Sequence, residues 1–187
     1  MKKFFIITAV FFLIFIAAAI GGFYPAARVD DTFISFRTWR KLEEASKHFA
    51  NVELVRRGER PINFAAAENS QLLIDGRIET LTALVEDVLI INEGRRAIAD
   101  FDAKSEQLTA TAAKKNNAIK KAVESLYGIA YDDFLELVLL PQARRDVLSK
   151  TFEERSLHFE EWLRGAKKQA SMRLYFTGFR WNKEKIE

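Results

Sequence analysis

Ile74-Asp75-Gly76-Arg77-Ile78-Glu79-Thr80-Leu81-Thr82-Ala83-Leu84-Val85-Glu86-Asp87-Val88-Leu89-Ile90-Ile91 sets the class of this chain. Ile74, Ile78, Leu81, Val85, Val88 and Ile91 recur at spacings of four, three, four, three and three, the period of an α-helix and not of a strand. Leu84, Leu89 and Ile90 widen the stripe beyond one face. A helix this broadly apolar is expected to be buried against more than one neighbour.

Working outward, the chain holds only three prolines and eight glycines, so long helices are the default on both sides. Downstream, a break is expected between Gly94 and Asp102, followed by a more polar helix carrying Leu108, Ala112, Ile119, Val123 and Leu126. Tyr127-Gly128 supplies its glycine C-cap. Asp132 or Asp133 is expected to cap the next helix, whose Phe134, Leu137, Val138, Pro141 and Leu148 share a face. Pro141 has no N–H to offer Leu137, so that helix must kink or restart there. Thr151-Phe152-Glu153-Glu154 has capping-box spacing and predicts another helix through Phe159 and Trp162 to about Gln169.

Upstream, Ala26 to Ser35 reads as one extended piece with a turn at Asp30-Asp31, and Ser35 caps a helix to about Phe49 with Phe36, Trp39, Leu42 and Phe49 on its apolar side. Val55 to Pro61 reads as a charged loop. Met172 to Thr177 alternates like a strand, and Lys183 to Glu187 reads as a frayed end. Two short extended segments flanking a helical body predict a two-stranded ribbon that pairs the ends of the domain.

Ahead of all this, Phe4 to Ala27 carries no charged side chain, and Lys2 and Lys3 precede it. About 20 apolar residues span a bilayer core. Phe4 to Phe23 therefore reads as a single transmembrane helix, with the positive-inside rule placing the N-terminus in the cytoplasm and Arg28 onward outside it. The competing reading is a cleaved secretory signal with its A-x-A site at Ala17-Ala18-Ala19. The fold expected is thus mainly α: an N-terminal membrane anchor over residues 1–27, then an exported multi-helix domain over 28–187 closed by the ribbon. The expected localisation is the cell membrane, single-pass, with the C-terminal domain extracytoplasmic.

The formal net charge of +3 and pI near 9.1 overstate the basicity of that domain. Of 29 Lys and Arg, Lys2 and Lys3 fall on the near side of the anchor, which leaves 27 against 26 Asp and Glu. The signs are interspersed, unlike the basic face of a nucleic-acid binder, and no nucleic-acid partner is expected. The absence of cysteine removes disulfides, thiol catalysis and Cys-based zinc sites.

Chemistry is sparsely signalled. His48 and His158 lack a motif partner, and Asp132-Asp133, Glu153-Glu154 and Glu160-Glu161 are neighbours that point about 100° apart on a helix and so do not converge on a metal. Phosphate-loop, dinucleotide, nucleophile-elbow and zincin motifs do not occur. Catalytic residues, cofactor and metal are all expected to be none. Aromatic content is the one excess: five of 16 phenylalanines lie in the anchor and Phe23 at its edge, leaving ten with Trp39, Trp162 and Trp181 for a core or for an apolar groove. Phe134, Leu137, Val138 and Trp162 are the candidate client-contact residues of such a groove.

Three separated pieces together resemble the SurA-type N-terminal chaperone domain of parvulin-associated foldases. They are Tyr24-Pro25-Ala26-Ala27-Arg28-Val29-Asp30-Asp31-Thr32-Phe33-Ile34-Ser35, the Leu81 to Ala97 helix, and Leu126-Tyr127-Gly128 followed by Phe134, Val138, Pro141 and Leu148. Asp31 stands where the family usually has glycine. The resemblance implies that Tyr127, Gly128 and Pro141 are structural and that the domain binds unfolded or exported polypeptides without catalysis. The parvulin isomerase domain of multidomain members is not expected in the short stretch after Gly165. A scaffold subunit docking one cell-envelope partner is the alternative reading.

Overall fold

The computed structural model describes residues 22, 24–114, 120–175, 177–183 and 185–187. A hairpin of β1 (Pro25–Val29) and β2 (Thr32–Ser35) leads into helix α1 (Phe36–Arg56). A 3₁₀ turn at Ala67–Asn69 then opens α2 (Ser70–Ala97). Next come α3 (Phe101–Lys114), α4 (Lys120–Tyr127) and the single turn α5 (Tyr131–Phe134), which passes through a π-helical segment, Leu135–Leu139, into α6 (Leu140–Glu154). Helix α7 (Phe159–Gln169) and β3 (Met172–Leu174) complete the order.

The strands form one antiparallel sheet in the order β2-β1-β3, with Ala27 opposite both Ile34 and Leu174. The expected two-stranded ribbon is therefore corrected to three strands. Asp30 adopts a φ of 51°, which Asp tolerates, and Arg28 holds the turn through Asp31 Oδ1 at 2.7 Å, so one extended piece folds into two strands. Asp30 also exchanges hydrogen bonds with Ser171, fastening the turn to the approach of β3.

The expected transmembrane helix Phe4–Phe23 lies outside the described residues apart from Gly22. Among the described residues no helix is long and apolar enough to cross a membrane. Helix α2, with 28 residues, has the length, but Asp75, Arg77, Glu79, Glu86, Asp87, Glu93, Arg95 and Arg96 punctuate it. The expectations of a transmembrane fold, a membrane partner and a single-pass membrane localisation are corrected to this extent: no helix among the described residues carries them, and the segment on which they rest lies outside those residues.

Helix α2 is the axis of the core. Leu81 and Val85 are fully buried, and Leu84, Val88, Leu89 and Ile90 nearly so, against the sheet residues Ala26, Ala27, Val29 and Ile34 and against Trp39, Leu148, Phe159 and Leu163. The width of its stripe is used by contacts with α1, α6, α7 and the sheet. Ile74, at its exposed end, is 38% accessible and takes no part in the core.

Local signals end where packing overrules them. Ser35 caps α1 through Thr38 N at 3.0 Å, but the helix runs past Phe49 to Arg56. Thr151 lies inside α6 and donates to the Val147 carbonyl at 3.0 Å instead of capping a new helix. Buried Phe152 keeps α6 going until Ser156, at φ 56°, closes it. Ala130, not an aspartate, precedes α5, and Asp132 and Asp133 sit in its first turn, where negative charge complements the helix dipole. The single polar helix expected over Leu108 to Leu126 is two, α3 and α4, and Ile119 lies outside the described residues. Nor is the C-terminus frayed: Trp181 bridges to Ile186, which is 3% exposed and belongs to the core.

Candidate functional site

Pro141 builds the site. Its missing N–H cannot bond the Leu137 carbonyl, and the preceding turn widens to π geometry, with Leu140 N–H reaching back to Leu135. Pro141 then occupies the first turn of α6, so the ladder bond that it cannot make falls at the junction of the two helical geometries. The widened turn presents Leu137 and Val138, with Pro141, to a cleft of about 220 Å³ whose other apolar wall is Leu42 of α1 and Ala83 and Ile90 of α2.

Charge surrounds this apolar floor. Arg145, lining the cleft, donates to Glu86 Oε2 at 3.3 Å and to Glu160 Oε1 at 2.8 Å, and its guanidinium lies 4.9 Å from the centre of the Phe159 ring. Lys167 reaches the other Glu86 oxygen at 2.9 Å. Arg144 holds Asp87 at 2.7 Å. Burial pushes the Asp87 carboxyl above its usual range, and the Arg144 guanidinium only partly opposes it. Asp87 Oδ1 and Arg144 Nε are both buried with no hydrogen-bond partner among the described residues.

Of the four expected groove residues, the structure brings Leu137 and Val138 together and separates the other two. Phe134 is 8% exposed and packs on Tyr127, which stacks on Phe49 at 5.0 Å, forming an aromatic cluster between α1, α4 and α5. Trp162 sits edge-on to Phe152 at 5.2 Å and beside Phe159 at 5.6 Å, against the main core. Of the apolar cleft residues not foreseen, Leu42 and Ile90 lie on the recognised apolar stripes and Ala83 does not, and nothing local says that those stripes meet at Leu137.

The motif residues Tyr127 and Gly128 end α4. Gly128 takes a φ of 66°, and a Cβ there would lie 2.8 Å from His48 Cδ2. His48 is exposed and its Nδ1 is 3.1 Å from the Leu126 carbonyl, and His158 is an exposed residue before α7. Neither lines the cleft. Asp133 is paired with Lys41 at 2.6 Å, Glu160 with Arg145, and among the described residues no group of His, Asp and Glu is placed to hold a metal. What the arrangement can do is accept an apolar side chain between fixed walls under a charged rim. Comparison with protein-family models, with curated proteins and with solved structures gives no match, so the cleft stands on its own geometry.

Proposed function

We propose that this protein is a non-catalytic, chaperone-like module that holds unfolded or extended polypeptide by its apolar side chains, as the resemblance to the SurA-type domain implies. The observation that carries the reading is the cleft at Leu137, Val138 and Pro141, apolar at its floor and ringed by Glu86, Asp87 and Arg145. Its size suits a single large side chain and not a folded surface. Each contact is weak, and retention of a client rests on several contacts along one chain. Phe33, Val55, Leu72 and Leu157, each at least half exposed, offer further apolar contacts.

The test is suppression of aggregation. Two unrelated proteins are unfolded in guanidinium and diluted into buffer with the full chain, and light scattering is followed. Suppression of both is expected, with loss of suppression on changing Leu137→Asp and Val138→Asp together while the far-ultraviolet dichroism is retained. Absence of suppression by the native sequence, or equal suppression by the double variant, refutes the reading.

A further inference from the structure

A second cleft, of about 320 Å³, lies between α1 and the first half of α2. It is a built feature. Ile62, one of its lining residues, is tied to α1 twice: Asn51 Oδ1 accepts from its N–H at 2.7 Å and Asn51 Nδ2 donates to its carbonyl at 3.2 Å. Its walls are apolar, through Ala50, Ile62, Phe64, Leu72 and Leu73. Glu43 also lines it and is 2% exposed. Glu43 Oε1 accepts from Arg77 Nε at 3.0 Å and from Lys47 Nζ, whereas Oε2 is buried with no partner among the described residues. A buried carboxylate oxygen without a donor carries a desolvation cost that a bound donor would relieve. At the mouth, exposed Asp75 and Glu79 stand one helical turn apart, a repulsive spacing, and no ion pair relieves either of them among the described residues. Three carboxylates, Glu43, Asp75 and Glu79, thus line the cleft with one cation, Lys47, whose ammonium lies 6.0 Å from the centre of the Phe64 ring, while Arg77 pairs with Glu43 without lining the cleft.

We infer that this cleft is a binding site for a primary ammonium group carried on an apolar chain, with Glu43 Oε2 as its acceptor and the Ile62, Phe64 and Leu72 walls around the chain. The chemistry is that of a free alkylamine or of a lysine side chain. An anion is disfavoured by the same carboxylates, and a metal ion by Lys47 and Arg77 already occupying Oε1. The inference concerns a different cleft from the one that carries the proposed function and stands without it.

Titration of the full chain with n-pentylammonium chloride, read by amide shifts in a two-dimensional NMR spectrum, tests it, with n-pentanol and sodium pentanoate as neutral and anionic isosteres. Saturable shifts centred on Glu43, Lys47 and Gly76 are expected for the ammonium alone. Glu43→Gln is expected to weaken binding about tenfold or more, since it removes a charge-assisted bond. Should that variant not fold, the exposed pair Asp75→Asn and Glu79→Gln is expected to weaken binding about two- to fivefold and to reduce its salt dependence. Equal binding of pentanol, shifts confined to another face, or unchanged affinity in both variants would overturn the assignment. A capped peptide with one lysine between apolar residues separates the two sources: tighter binding than pentylammonium assigns the site to polypeptide, equal or weaker binding to a free amine.

Discussion

Replacing Gly94 by alanine should destabilise the protein, although helix propensity alone argues the reverse. Gly94 is buried in α2, one turn before the chain reverses through Asp100, at φ 56°, into α3. The reversal brings the Phe101 ring, 2% exposed, against the glycine: a Cβ there would meet Cε1 and Cε2 at 2.5 Å and Cζ closer still. These are atoms of one rigid, enclosed ring, so relief requires α3 or the ring to move by roughly 1 Å to regain ordinary contact distance. Overpacking of this kind costs about 1–3 kcal/mol. Against it, alanine gains about 0.5–1 kcal/mol over glycine inside a helix. The net runs from near zero to a loss of about 2.5 kcal/mol, with a midpoint of about 1 kcal/mol, a fall in Tm of a few degrees at the ~2–4 °C per kcal/mol usual for a chain of this length. Urea unfolding of the single variant, of Phe101→Leu and of the double variant gives the coupling. Phe101→Leu makes room for the new methyl, so its own cost should shrink in the Gly94→Ala background by about 1 kcal/mol or more. A raised Tm for Gly94→Ala, or additive costs in the cycle, would refute the argument that the glycine is there for the ring.

Three further expectations follow from the same geometry. Gly128→Ala should destabilise by roughly 1–2 kcal/mol for the left-handed φ alone, plus the clash with His48, and only the second part should be recovered in a His48→Ala background, read by thermal melts. Ile186→Ala, and equally deletion of residues 183–187, should cost about 2–4 kcal/mol as core changes do; a melting temperature unchanged by either would show that the C-terminal turn is not held in the core. Burial raises the Glu43 carboxyl, but Lys47 and Arg77 together hold it below its usual 4.5, so its stabilisation is present above that value and is lost as pH falls through the lower folded pKa. The stability gap between the native sequence and Glu43→Gln should accordingly be larger near about pH 7 than near about pH 2, and a gap independent of pH in urea unfolding would contradict the ion pairing.

The sequence by itself determined what depends on near neighbours. The 3.6-residue stripe of α2, the Ser35 cap, the glycine stop at Gly128 and the irregularity forced by Pro141 all follow from backbone sterics and bonds that span at most a few residues, and each is legible in the order of the side chains. Tertiary structure decided whatever depends on which surfaces meet. Thr151 carries a capping signal as good as that of Ser35, yet Leu148 and Phe152 on either side of it are buried, and their packing holds the helix through it. Phe134 and Trp162 look equivalent to Leu137 and Val138 as apolar helix residues, but the first closes on Tyr127 and the second on Phe152, so only two of the four expected residues share a cleft. The third strand, the seating of Ile186 and the meeting of Leu42 with Leu137 likewise join residues far apart in the chain. Such contacts come from burying particular surfaces against one another, and a helix's own pattern says that a face must be covered without saying by what.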